Sequence, residues 1–129
     1  MGGKYSLAVV KNLVDQYKQG NNTALWFSAR SRSLDAVVKV LFCNEVDAET
    51  KILDGLLRLK ESDFCRSNIQ WNTVVDEYGL ENYLGYNWYI KFTIERQSSV
   101  ETLEQISFHP LEKNMRLADG RELTANLKK

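Results

Sequence analysis

A single proline, Pro110, occurs in the chain, so long disordered linkers are not expected. There are two cysteines, Cys43 and Cys65, with no CxxC pair, and one histidine, His109. Two cysteines do not build a disulfide framework, and one histidine without paired thiols offers no structural zinc site. Both cysteines are read as small buried apolar residues. No window reaches the ~18 apolar residues needed to span a bilayer, so no membrane partner is expected. The opening MGGKYSLAVV lacks the charged and apolar regions of a secretory leader. Its Met-Gly-x-x-x-Ser pattern is read as a cloning remnant or a chance match to a myristoylation signal. The expected location is the cytoplasm. Charge of one sign is also missing, with 17 basic and 17 acidic residues. That balance argues against a broad basic surface that coats nucleic acid, but it leaves room for a small basic cleft. No Gly-rich phosphate loop, HExxH or GxSxG occurs, which removes the common nucleotidases, zinc enzymes and serine hydrolases.

What is present suits one domain. The 129 residues are 43% hydrophobic and include three Trp, six Tyr and five Phe, enough to bury a core without staples. Leu7, Val10, Leu13, Val14 and Tyr17 recur at helical spacing after Ser6, a candidate cap, and Gly20 is a natural stop. This predicts a first helix over 6–19. The stretch 23–29 (TALWFSA) reads as an edge strand or a helix start. A second helix is predicted over 33–42, capped by Ser33 and striped by Leu34, Val37, Val38 and Leu41. A third is predicted over 48–59, capped by Asp47, with Ile52, Leu53, Leu56, Leu57 and Leu59 on one face. Gly55 inside it costs about 1 kcal/mol relative to Ala. Ser62-Asp63-Phe64 is read as a turn into another short helical piece.

The clearest element begins at Tyr86. Tyr86, Trp88, Ile90, Phe92 and Ile94 alternate with Asn87, Tyr89, Lys91, Thr93 and Glu95, the period of a half-buried strand. After Gln97-Ser98-Ser99, the segment 100–109 predicts a second strand, paired antiparallel with the first. Leu103, Ile106 and Phe108 do not share one parity, which places a bulge near Gln105. Pro110 ends this strand. Asp119-Gly120 predicts a last hairpin between Met115-Arg116-Leu117 and Arg121-Glu122-Leu123. The tail 126–129 is expected to fray. The fold class is therefore α+β, with N-terminal helices packed on a small antiparallel sheet over 86–124.

On this pairing the outward face carries Tyr89, Lys91 and Thr93 beside Ser107 and His109. A histidine can move protons to or from the ribose 2′-OH and the leaving 5′-oxygen. Lysine or arginine can stabilise charge that builds on phosphorus. The 2′-OH supplies the nucleophile, so no protein nucleophile is needed. Taken alone, these residues also fit an ordinary solvated strand face. Arg66, in the charged stretch 60–66, faces either a phosphate or water.

The same residues, taken in order, resemble the motility quorum-sensing regulator toxins, the MqsR family of bacterial toxin–antitoxin systems. The points of contact are the amphipathic helix YSLAVVKNLVDQY, the stretch GLLRLKESDF at 55–64, Trp71-Asn72, the strand NWYIKFTI at 87–94, and ISFH at 106–109. The similarity spans about residues 5–113 and is dense at 56–66 and 86–109. The resemblance implies a RelE-like α+β endoribonuclease that cuts mRNA, needs no metal or other cofactor, and is held in check by a cognate antitoxin protein. Carried over by position, it implies catalytic roles for His109, Tyr89 and Arg66. It implies RNA contacts for Lys91 and Asn72, with Arg96 added from the charge pattern. His109 stands where the family has Lys, Arg66 where it has Lys, and Asn72 where it has Gln. The chain also departs from the family in its neutral charge, in the region 23–50 and in the tail after Lys113. With no net charge, an RNA enzyme must gather its cations at one cleft, drawn from Arg66, Lys91, Arg96, Arg30 and Arg32. The alternative is a non-catalytic immunity or antitoxin-like protein that plugs a partner, for which an exposed acidic face of Asp76, Glu77 and Glu81 would be the mark. A regulatory domain without chemistry is the third reading.

Overall fold

The computed structural model describes residues 3–28 and 32–126. Three helices come first: α1 (Leu7–Lys18), α2 (Ser33–Leu41) and α3 (Glu45–Arg58). A single 3-10 turn, Glu61–Asp63, leads into the strands β2 (Phe64–Gln70), β3 (Thr73–Tyr83), β4 (Tyr86–Gln97) and β5 (Val100–Pro110). A short β1 (Leu25–Phe27) lies between α1 and α2, and the hairpin β6 (Met115–Arg116) and β7 (Glu122–Leu123) closes the chain. The class is α+β. The five-stranded sheet has the order β1-β5-β4-β3-β2. It is mixed rather than antiparallel throughout, because β1 runs parallel to β5 with Leu25 opposite Leu103.

The caps differ from their sequence assignments. Ser6 holds the N-cap position of α1 in extended backbone but makes no side-chain cap bond. Ser33 lies inside α2, where it is buried, and Arg32 takes the flanking position. α3 begins three residues before the expected 48, because Asn44 accepts the Asp47 amide at 2.8 Å and so satisfies a free donor of the first turn. Asp47 is therefore capped rather than capping. Gly55 does more than weaken the helix: a Cβ there would come within 2.6 Å of the Phe108 ring. Its absence lets α3 approach the sheet. Leu7, Val10 and Leu13 of α1, Ile52 and Leu56 of α3, and Tyr78, Trp88, Ile90, Phe92 and Phe108 of the sheet share one apolar cluster.

The run of antiparallel strands starts at Phe64, not at Tyr86, and among the described residues no helical piece follows Asp63. Two features hid β2 and β3. Their sequences bury polar groups, Asp76 and Glu77, inside a run without apolar alternation. Their turn is Trp71-Asn72, with φ of 51° and 60°, a mirror-image turn built without glycine. Leu84-Gly85 and Ser98-Ser99 form matching positive-φ turns, so one two-residue turn geometry joins each successive strand from β2 to β5.

The expected β4–β5 pair is present, with Trp88, Ile90 and Phe92 fully buried. Lys91 opposes Ser107 and Phe92 opposes Gln105, so Ile106 is the extra residue of a bulge. The bulge keeps Leu103 and Phe108 on the same inward face despite their different parity. The Asp119-Gly120 hairpin also forms, with Met115 opposite Leu123. It lies over the outer face of the sheet at Gly79, where a Cβ would meet Leu123 at 2.7 Å and the Met115 sulfur at 2.9 Å. Arg121 Nη2 bonds the buried Asp63 at 2.8 Å, and the Ala118 amide bonds the Phe64 carbonyl at 2.9 Å, which ties the hairpin to the start of β2. Asn126 does not fray. Its side chain bonds both the amide and the carbonyl of Asn87, at 2.8 Å each. Among the described residues no helix is long and apolar enough to cross a membrane.

Candidate functional site

Side chains at paired positions of neighbouring strands point to the same face. On the outer face, register therefore aligns Arg66 of β2, Glu77 of β3, Lys91 of β4 and Ser107 of β5 in one row. The adjacent row is Gly79, Tyr89 and His109. Three of the sequence candidates, Arg66, Tyr89 and His109, thus meet on one surface. With Cys65 and Glu77 they line a groove of about 610 Å³ whose far wall is the segment from Leu111 to Leu117. The chain after Lys113, which has no counterpart in the resemblance, builds much of that wall.

Tyr89 and His109 lie ring to ring, with centroids 5.1 Å apart and planes tilted by 33°. His109 Nδ1 is 2.9 Å from the Pro110 carbonyl oxygen. An Nδ1–H donated there leaves Nε2 for a ligand. Burial first, then the charge of Glu77, push the pKa of the Tyr89 hydroxyl well above the ordinary tyrosine value. Glu77 is 3% exposed. Its Oε2 accepts from Arg66 Nε at 3.2 Å and from Asn68 Nδ2 at 3.4 Å. The guanidinium itself is open to solvent, and the charge of Glu77 chiefly raises its pKa. Cys65, beside them, has its thiol pushed up by burial and then by Glu77, so it is a poor nucleophile at neutral pH.

Lys91 belongs to a second groove of about 600 Å³, between α2, the edge of β5 and Trp71. Its Nζ donates to Gln70 Oε1 at 2.9 Å, and partial burial lowers its pKa. Both His109 and Glu112 line the two grooves, so the grooves meet at His109. Together they gather Arg32, Arg66, Lys91, Lys113 and Arg116 against Glu77 and Glu112. A chain of zero net charge thus carries a locally basic track.

Two sequence candidates lie elsewhere. Asn72 is a turn residue at the tip of β2 and β3 and lines neither groove. Arg96 pairs with Glu101 at 3.0 Å near the far end of β4. It is five residues beyond Lys91, about 17 Å along the strand. Arg30 lies outside the described residues. The acidic face proposed for a plugging protein does not form, because Asp76 and Glu77 are both buried and point to opposite faces of β3. Asp76 instead holds the Lys4 and Tyr5 amides at 3.0 and 2.9 Å and the Ser67 hydroxyl at 2.6 Å.

Glu77 is the residue that sequence reasoning missed as part of the site. Had β3 been read as a strand, the pairing of its odd positions with Tyr89 and Lys91 would have revealed it. Among the described residues no group of three or more His, Cys, Asp or Glu side chains is arranged to hold a metal ion. A scan against protein-family models gives no match, and a search of curated proteins gives no significant match.

Proposed function

We propose that this chain is a metal-independent endoribonuclease, an mRNA interferase toxin of the MqsR type with a RelE-like arrangement, acting in the cytoplasm and checked by a cognate antitoxin protein. One observation carries the reading: the two basic grooves meet at His109, with the Tyr89 ring tilted beside it and Arg66 on the same floor. The resemblance in sequence supports it independently.

The chemistry runs as follows. A single RNA strand lies along the track with its scissile phosphate beside Tyr89. The 2′-OH attacks phosphorus, and the bond to the 5′-oxygen breaks. Protonated His109 gives its Nε2 proton to that leaving oxygen. Arg66, whose Nε is engaged by Glu77, offers its two NH2 groups to the phosphate as a planar fork. Lys91 and Arg32 hold the neighbouring phosphates in the second groove. The products are a 2′,3′-cyclic phosphate and a free 5′-OH.

The test is cleavage of a defined single-stranded RNA in EDTA by the wild type and by His109→Ala. The expected result is cyclic-phosphate product from the wild type and a loss of about 10²–10⁴-fold in the variant. In cells, induction without the partner should arrest growth. Failure of the wild type both to cleave RNA and to arrest growth would overturn the reading. The plugging-protein alternative lacks its continuous acidic face, since Asp76 and Glu77 are buried.

A further inference from the structure

We infer that Glu77 is the general base of this site, the group that takes the 2′-OH proton; the inference rests on the ribonuclease reading above. The reaction needs such an acceptor, and with His109 assigned to the leaving oxygen a second group must serve the 2′-OH.

The bland alternative is that Glu77 is a structural carboxylate that pins β2 to β3. Its neighbour Asp76 shows what such a group looks like on this same strand. Asp76 faces inward, and both its oxygens are taken by short bonds of 2.6 to 3.0 Å from the N-terminal backbone and Ser67. Glu77 differs in each respect. It faces the groove. Its bonds from Arg66 and Asn68 are long, at 3.2 and 3.4 Å, and both fall on Oε2. It is nearly buried yet lies at the floor of an open cleft. Arg66 pairs with it at 3.2 Å, which sets a cation beside the carboxylate at the groove floor.

The placement also fits an in-line displacement. Glu77 stands on β3 and His109 on β5, with Tyr89 of β4 between them. Strands two apart, with one row of offset, put the backbones of acid and base roughly 12 Å from one another. Side chains reaching inward from both sides leave a gap that a phosphate and its entering and leaving oxygens can fill. The proton of the 2′-OH passes to Glu77 as the 2′-oxygen bonds phosphorus. The bond from phosphorus to the 5′-oxygen breaks, and His109 protonates that oxygen. Exchange with water then returns both groups to their starting states. Arg66 pairs with Glu77 through Nε and neutralises the phosphate with the rest of its guanidinium.

The test uses full-length Glu77→Gln and Glu77→Ala, checked by circular dichroism, with the wild type alongside. Substrate is a defined RNA, and binding is read with the same sequence carrying 2′-O-methyl groups, which cannot react. For Glu77→Gln the expected result is a fall of about 10²–10⁴-fold in the single-turnover rate, with affinity for the 2′-O-methyl strand unchanged. For Glu77→Ala, added formate should restore part of the rate, because a small carboxylate can enter the space left. A structural role predicts otherwise: affinity would fall together with rate, and formate would do nothing. Either of those outcomes, or cleavage by Glu77→Gln at the wild-type rate, overturns the inference while leaving the ribonuclease reading intact. Absence of cleavage by the wild type would overturn both.

Discussion

Tyr89 and His109 occupy directly paired positions on β4 and β5, their rings 5.1 Å apart, and Glu77 lines the same groove. One side chain therefore shares the groove with both groups assigned to proton transfer. The ring and the hydroxyl are separable by mutation. Tyr89→Phe keeps the ring beside His109 and removes a donor to the reacting phosphate. A hydrogen bond to a charged group is worth about 1.5–3 kcal/mol, which predicts a rate loss of roughly 10- to 100-fold. Tyr89→Ala should lose more, since the imidazole then loses its ring neighbour and keeps only the Nδ1 contact to the Pro110 carbonyl. Single-turnover cleavage by the two variants orders them. Equal rates for Tyr89→Phe and the wild type would remove the hydroxyl from the mechanism.

The groove wall gives a prediction about the C-terminal hairpin. Gly79 has no side chain where Leu123, Met115 and Leu117 press on the sheet. Gly79→Val suits a strand by propensity but forces those side chains outward. Overpacking of this kind costs about 1–3 kcal/mol. Because the displaced segment walls the site, cleavage should fall along with stability, although the residue lies in the sheet beneath the hairpin and carries no reactive group. Limited proteolysis should cut the variant between Leu111 and Leu123 faster than the wild type. A variant that is less stable yet fully active at low temperature would separate the wall from the chemistry.

Alkaline pH tests the buried tyrosines. Burial is the main cause that raises the hydroxyls of Tyr78, Tyr83 and Tyr89, with Tyr83 pushed up to about 12 from the ordinary 10.0. A group whose folded pKa is raised contributes stability that is present below its unfolded pKa and lost as pH climbs toward the folded one. Above pH ~10 each tyrosine should therefore lower the unfolding free energy by up to about 1.4 kcal/mol per pH unit. Lys91 works in the opposite sense: its folded pKa is lowered from 10.5, so its contribution rises with pH just below that value. Three tyrosines against one lysine predict a net decline. Urea unfolding between roughly pH 8 and roughly pH 11 measures it. Tyr83→Phe should reduce the slope in that window. A flat profile would contradict the burial of these hydroxyls.

Much of the fold was legible from local pattern. The stripes of α1 and α3 announced their buried faces, and Asp119-Gly120 announced the last hairpin. The mixed parity of Leu103, Ile106 and Phe108 announced the bulge now seen at Ile106. The misses share a cause. Asn44 rather than Asp47 caps α3, since several short polar residues near one helix start compete and only the backbone geometry chooses among them. β2 and β3 carry polar residues whose burial is made possible by partners on other elements, Ser67 and the Tyr5 amide for Asp76, and Arg66 and Asn68 for Glu77.

The candidate site divides in the same way. The period-two alternation of β4 is a local property, and by itself it determined that Trp88, Ile90 and Phe92 turn inward and that Tyr89 and Lys91 turn out. Pairing β4 with β5 across a short turn then brought His109 beside Tyr89. Tertiary structure decided the rest. The register of β2 on β3 and of β3 on β4 brings Arg66 and Glu77 into the row, and the fold of the last hairpin onto Gly79 closes the groove. Arg96 was excluded by the same arithmetic, since position along a strand, not charge, fixes which site a side chain can reach. Alternation depends on the backbone of one strand, whereas register depends on which distant side chains can share a buried face.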